Sequence, residues 1–297
     1  MLGVVNLDKP IGPTSHDMVG MMRRLTGTRR IGHAGTLDPL ASGVLPILVG
    51  AATRFSAELT GGSKRYDAVI RLGARSATDD AQGPIEPADG PIPDEAAVRA
   101  ALATFVGTFD QLPPAFSARK LGGRTAHRAA RAGDPIELPP RSVTIHVLDM
   151  LGYDPAENGV DVRVDLRCGA GTYVRSLARD LGERLGSGGY LRALRRTEAA
   201  GLRVDGSFTP ERLEALAAAG KLDDAILPVG ELLSLPHLLL DPEAAKAFRN
   251  GSARALAGTL AADGRAAVFE GDELLGIGSV NSNTLQPEKV LPREPIA

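Results

Sequence analysis

Two stretches of the chain alternate apolar and polar residues with a period of two. Tyr66, Ala68, Ile70 and Leu72 interleave with Arg65, Asp67, Val69 and Arg71, and Val160, Val162, Val164, Leu166 and Cys168 with Asp161, Arg163, Asp165 and Arg167. Each predicts a strand with one buried face, because successive side chains point to opposite sides of a sheet. Leu2 to Leu7 predicts another, followed by a turn at Lys9-Pro10-Ile11-Gly12-Pro13. Thr14 and Asp17 form a capping-box pattern that opens a helix, and Gly27 is placed to close it. Val174, Leu177, Ala178, Leu181 and Leu185 share one face of a second helix, reached through Gly169-Ala170-Gly171-Thr172. Further helices are predicted from Asp94 to about Phe105, from Thr125 to Ala132, from Pro210 to Gly220, and from Pro242 to Asn250. Residues 31–43 carry neither period and read as an unusually apolar loop. Val44 to Val49 resumes a strand, with Pro46 predicting an edge or a bulge. Near residue 230 the texture changes to short apolar runs between glycine-rich turns, at 265–269, 273–280 and 290–291.

Strands and helices mix without regular βαβ alternation. The fold class expected is α+β, with a mixed, largely antiparallel central sheet and a small C-terminal β-rich module. The expected boundaries are 1–232 and 233–297, with a basic insertion at about 115–140. At 297 residues the chain is long enough to bury a large core without staples.

One cysteine, Cys168, excludes a disulfide framework and a cysteine-based metal site. The five histidines show no metal-ligand spacing, no apolar run approaches the roughly 20 residues that span a bilayer, and the N-terminus lacks a basic leader. No metal, no membrane and a cytoplasmic location are therefore expected. The net charge of −2 argues against general affinity for nucleic acid, but it averages over segments of opposite sign. Residues 117–133 hold Arg119, Lys120, Arg124, Arg128 and Arg131 with no acid, whereas 204–297 is acidic overall. An unopposed local cluster binds phosphates whatever the global charge; a solvated helix face is the plainer reading.

GxGxxG followed by a helix, GxxxxGK[ST] and GxSxG are all absent, so nucleotide-cofactor and serine-hydrolase readings lose ground. What stands out is Asp38 among Leu37, Pro39 and Leu40. A carboxylate in apolar surroundings faces a desolvation cost unless a cation pairs with it, and Pro39 stiffens the backbone. Asp before Pro is commonly a plain turn residue; a rigid, apolar-lined carboxylate is also what a nucleophile requires.

The run Gly32-His33-Ala-Gly-Thr-Leu-Asp38-Pro-Leu-Ala-Ser-Gly43 resembles the signature loop of the TruB family of tRNA pseudouridine-55 synthases. Further resemblances follow in the family's order: Leu7-Asp8-Lys9-Pro10, Lys64-Arg65-Tyr66, Leu72-Gly73 with Thr78-Asp79-Asp80-Ala-Gln-Gly83, Pro114-Ala-Phe116-Ser-Ala-Arg119-Lys120, Gly171-Thr-Tyr173-Val-Arg175 and Leu194-Arg195-Arg196. They cover essentially the whole chain, with a tail similar to a PUA domain.

The resemblance implies isomerisation of one T-loop uridine in tRNA, without cofactor, after the base is flipped out. Asp38 would be the nucleophile, Arg175 its ion-pair partner, and Tyr66 the ring stacked on the base. Tyr173 and Leu194 would wall the pocket, and His33 would enter the RNA as the base leaves. Lys9, Arg119, Lys120, Arg124 and Arg128 would take phosphates. A surface salt bridge for Arg175, a core tyrosine for Tyr66 and an ordinary loop histidine for His33 are the structural alternatives. The partner implied is the tRNA T-arm, with no obligatory protein partner and a monomeric chain. Two departures concern the insertion: Phe116 stands where the family commonly has Tyr, and Ala126-His127 replaces Leu-Tyr. The acidic tail leaves only Lys246, Arg249 and Arg254 as a candidate basic patch. Competing readings are a non-catalytic tRNA-binding or folding factor, a guide-RNA-dependent synthase of the dyskerin type, and a carboxylate glycosidase, which would require a second nearby acid.

Overall fold

The computed structural model describes residues 1–117, 120–121, 123–125, 129, 134, 136, 138–256 and 263–292. Its main sheet has nine strands among them: β1 (Gly3–Lys9), β2 (Ile31–His33), β3 (Ala41–Val49), β4 (Lys64–Leu72), β5 (Gly107–Gln111), β6 (Arg141–Ala156), β7 (Gly159–Cys168), β8 (Gly189–Ala199) and β9 (Leu202–Arg203). The order is β1-β3-β8-β4-β7-β6-β5, with β2 also on β3 and β9 on β8. Every pairing is antiparallel except β3 with β8, which run parallel through Leu194–Ala41, Arg195–Ser42 and Arg196–Gly43. The sheet is mixed and largely antiparallel, as the pattern predicts.

Helices α1 (Ser15–Thr26), α2 (Ser56–Gly61), α3 (Glu95–Ala103), α4 (Val174–Arg184), α5 (Pro210–Ala218) and α6 (Pro242–Arg249) complete the frame. Alternation along β1 divides the core. Val5 and Leu7 join Met18 and Met22 of α1, Leu102 of α3, Leu177 and Leu181 of α4 and Leu213 of α5. Val4 turns the other way, into a cluster with Val44, Leu48, Phe55, Val229, Leu233, Ala267, Ile277 and Leu291. That second cluster joins the main sheet to a five-stranded sheet built from 237–290, covered by α6. Glu58 of α2 adds ion pairs to Arg265 at 2.7 Å and Lys289 at 2.8 Å. No helix among the described residues is long and apolar enough to cross a membrane.

Several expectations are met residue by residue. The Thr14–Asp17 capping box forms in both directions, and Gly27 closes α1 at φ 67°. Both alternating strands appear with the buried faces assigned to them. Others are corrected. The irregular segment is shorter than 31–43, since β2 and β3 claim its ends and leave 34–40 as loop. Strand β3 is interior rather than an edge. Pro46 is tolerated because its carbonyl, which accepts from Ala34 N at 2.9 Å, turns to the side away from β1. On that side β8 pairs with 41–43 and β2 with 47–49, so the missing N–H falls in the gap between them. Strands β6 and β8 escape the period-two reading because each carries two register shifts, which throw the alternation out of phase. The predicted helix 125–132 lies largely outside the described residues; Thr125 itself pairs as a strand residue with Lys120.

Gly43, at the close of the apolar loop, is required by the parallel β3–β8 contact. Its φ is +102°, and a Cβ there would lie 2.1 Å from the backbone oxygen of Arg196. Gly43→Ala is expected to cost about 2–5 kcal/mol, summing left-handed strain and overpacking. Urea unfolding measures it, and a midpoint equal to wild type would contradict the close packing.

Candidate active site

The loop 34–40 hangs between β2 and β3 and is held from three sides. Ser15, at the start of α1 and buried, donates from Oγ to Leu37 O at 2.9 Å and accepts from Leu37 N at 2.8 Å. Gly12 N donates to Pro39 O at 2.8 Å, tying the Lys9–Pro13 turn to the residue after Asp38. From below comes Arg196 of β8, a buried guanidinium. Its Nε donates to Val44 O at 2.7 Å, Nη2 to Gly35 O at 3.0 Å and Nη1 to Thr36 O at 3.4 Å. A charged side chain buried this deeply persists only when its donors find acceptors, and here the acceptors are the loop's own carbonyls.

Asp38 rises from this scaffold with its side chain 43% accessible, and Arg175 Nε lies 3.0 Å from its Oδ2. Arg175, in the first turn of α4, is buried and its fork is fully engaged. Nη1 donates to Thr78 O at 3.2 Å and stands 3.7 Å from Asp80 Oδ2, while Nη2 donates to Phe116 O at 2.9 Å. Asp80 is held in turn by Thr78 Oγ1 at 2.6 Å and Gln82 N at 3.0 Å. The cation is thus fixed before the carboxylate meets it, which lowers the ordering cost of the pair. At 116 the contact comes from the main chain, so Phe in place of Tyr leaves it intact.

Tyr66 of β4 is buried, hydrogen-bonded by Arg196 and within the field of Asp38. Burial pushes its phenol above the usual range, so it stays protonated at neutral pH. Tyr173, which precedes α4, is clamped through its backbone. Its N–H donates to Gln111 Oε1 at 2.8 Å and its carbonyl accepts from Gln111 Nε2 at 3.1 Å. Leu194 is half-buried on β8, two residues before Arg196 and opposite Ala41 and Ala68. His33 ends β2, immediately before the loop, and its Nδ1 is buried without a partner among the described residues. Burial, then Arg196 and His16, push the imidazole below its usual range and keep it neutral.

Lys9 is corrected. It is fully buried, and its Nζ donates to Pro10 O at 2.7 Å and Pro13 O at 2.8 Å, so it presents nothing to a phosphate. Burial pushes its ammonium down to about 8. Lys9 shapes the turn beside the loop. Of the insertion, Arg124 is exposed and pairs with Asp134 at 2.7 Å. Lys120 is described only as backbone, and Arg119 and Arg128 lie outside the described residues. The basic patch sought in the tail is corrected too. Arg249 is bound by Glu270 and Glu273, and Arg254 by Glu243, which leaves Lys246 alone of the three. Sequence reasoning missed Ser15, Gln111 and the loop-binding role of Arg196, since each acts through a partner distant in sequence.

A half-open carboxylate paired to a prearranged arginine, with a protonated tyrosine in its field, is carried on a sheet whose relatives are known. The chain superposes on a structure of an H/ACA RNP bound to a substrate RNA containing 2'-deoxyuridine at TM-score 0.74, with 25% identity, over 98% of this chain and 86% of that one. An archaeal box H/ACA sRNP Nop10-Cbf5 complex gives TM-score 0.75 and 26% identity, over 98% and 87%. Fold and site define the pseudouridine synthase class. Residues 23–174 match the TruB family pseudouridylate synthase N-terminal domain, and 175–234 the tRNA pseudouridylate synthase B C-terminal domain. A tRNA pseudouridine synthase B of Ralstonia nicotianae is 40% identical over 97% of this chain and 94% of its own length. That of Corynebacterium aurimucosum is 43% identical over 88% of each. The chain belongs to the TruB family.

Proposed function

We propose that this chain isomerises uridine to pseudouridine at position 55 in the T-loop of tRNA, with Asp38 as nucleophile and no cofactor. The reaction breaks the N1–C1′ bond, turns the uracil, forms a C5–C1′ bond and releases the C5 proton. The observation that carries the reading is the Asp38–Arg175 pair at 3.0 Å, with the carboxylate open to solvent and the arginine buried. Arg175 aims the carboxylate and balances its charge, which presents a nucleophilic oxygen to the substrate. Tyr66 offers a ring for the extruded base, between Tyr173 and Leu194. His33, at the end of β2, fills the space the base vacates. Flipping costs a few kcal/mol of stacking, offset by these contacts.

Residues 1–232 serve as the catalytic module and 233–297 as a PUA-like RNA-binding domain. Arg119, Lys120, Arg124 and Arg128 of the insertion meet the phosphates of the T-arm. The chain works as a monomer without a protein partner. The similarity to H/ACA structures favours one other reading, a synthase that depends on a guide RNA. Tritium release from a tRNA transcript labelled at uridine C5 separates them. The purified chain alone is expected to release about one equivalent per tRNA, and none attributable to position 55 when that position is cytidine. Release only on addition of guide RNA or partner proteins would overturn the proposal.

A further inference from the structure

Between Asp17 and Glu58 the only acid is Asp38, yet this stretch holds Arg23, Arg24, Arg29, Arg30 and Arg54. Four of these, Arg23, Arg24, Arg29 and Arg30, fall within eight residues, at the end of α1 and in the turn that leads into β2. All four are exposed, and none has an acid partner among the described residues. Elsewhere on the surface Arg65, Arg99, Arg192, Arg203, Arg254 and Arg265 each meet a carboxylate. The exposed arginines there that do not, among the described residues, are Arg75, Arg163, Arg167, Arg184 and Arg212, scattered along the sequence rather than gathered within eight residues. The helix dipole accounts for a preference for Arg23 and Arg24 in the last turn of α1, but not for Arg29 and Arg30 beyond it. Like charges crowded without counter-charge repel one another unless a polyanion covers them.

The geometry of two of them is set for an anion. Arg23 Nε donates to Arg29 O at 3.2 Å, and Arg30 Nε donates to Thr53 Oγ1 at 3.2 Å. Each guanidinium is therefore steadied through Nε, and no bond from its two terminal nitrogens is seen among the described residues. A fork held in this way suits a phosphate, which it meets with two parallel N–H donors, and less ordering is lost on binding. The position is also telling. Ser15, at the start of α1, grips the catalytic loop, and Arg23 lies eight residues along the same helix, about 12 Å away by helical rise. Strand β2 returns from Arg30 to His33 at the loop's edge. The arginines thus sit at the far end of α1 and at the start of β2, the two elements that hold and enter the loop carrying Asp38. Beyond them, Arg54 donates from Nη1 to Val290 O, which carries the cationic lane on toward the five-stranded sheet.

We infer that Arg23, Arg24, Arg29 and Arg30 form a phosphate-binding surface that holds the helical stem of the substrate RNA as it leaves the catalytic loop. This surface is distinct in sequence from the basic insertion at 115–140, and the inference rests on the proposed reaction on tRNA. It reads phosphates, not bases, so it contributes affinity and register without sequence preference.

The test compares wild type with a triple variant, Arg23→Gln, Arg29→Gln and Arg30→Gln, and with the matching triple lysine variant. Arg99→Gln, whose side chain is exposed on α3 and pairs with Glu95, serves as control. Tritium release and filter binding are followed from about 50 to 200 mM salt on full tRNA. The glutamine variant is expected to raise KM and Kd about 10- to 100-fold and to flatten the slope of log K against log salt by about two to three units. The lysine variant is expected to recover the slope, because it restores the charge, but only part of the affinity, because an ammonium lacks the paired donors of the fork. An internal role for the guanidinium would not be rescued at all. Circular dichroism checks that each variant folds. An active wild type whose slope and KM are unchanged in the glutamine variant would overturn the surface. An inactive wild type would instead overturn the reaction assigned to the chain.

Discussion

Asp38→Asn is expected to abolish isomerisation, by about 10³-fold or more, while tRNA binding stays within about threefold. The substitution keeps the shape and removes the charge and the nucleophilic oxygen. Arg175 would still be held by Thr78 O, Phe116 O and the nearby Asp80 carboxylate, so the pocket has no reason to collapse. Leu37 remains tied to Ser15, which keeps the loop in place. Single-turnover tritium release at saturating enzyme measures the chemistry apart from binding, and filter binding measures the complex. Residual turnover within tenfold of wild type would remove Asp38 from the chemistry. Loss of turnover together with loss of binding would place it in recognition instead.

Arg196→Met is expected to cost about 3–5 kcal/mol of stability, the range for removing one member of a buried polar set. Turnover is expected to fall in parallel by about 10²-fold, the scale at which small misplacements act. The substitution leaves the carbonyls of Gly35, Thr36 and Val44 without their donors, and takes the hydrogen bond from Tyr66. Buried acceptors left unpaired carry their full desolvation cost. Arg196→Lys is not expected to rescue, because one ammonium cannot span three carbonyls that a planar fork reaches together. Urea unfolding and tritium release measure the two effects. A methionine variant of wild-type stability would show that the loop holds itself.

The two predictions divide the site between chemistry and support, and the support was the harder part to read in sequence. Asp38 stands out because a charged residue among leucines and a proline is conspicuous by composition alone. Arg175 and Tyr66 needed the family resemblance, since a salt-bridge arginine and a core tyrosine look the same in sequence. Tyr66 is buried in the core and also lies within the field of Asp38 and Arg196. Lys9 was misplaced because lysine near a predicted RNA surface suggests a phosphate contact, whereas its ammonium is spent on the carbonyls of its own turn.

What the sequence by itself determined was local. Strands β4 and β7, the capping box of α1 and the buried face of α4 follow from period and caps, because those rules act between near neighbours. The tertiary structure decided which distant segments share a register. Strand β8 is invisible to periodicity because of its bulges, yet its parallel pairing with β3 delivers Arg196 beneath the loop and requires Gly43 at the contact. Helix α4 likewise brings Arg175 to Asp38 across 137 residues of chain. Such contacts depend on loop closure and packing of the whole sheet, which no local rule encodes.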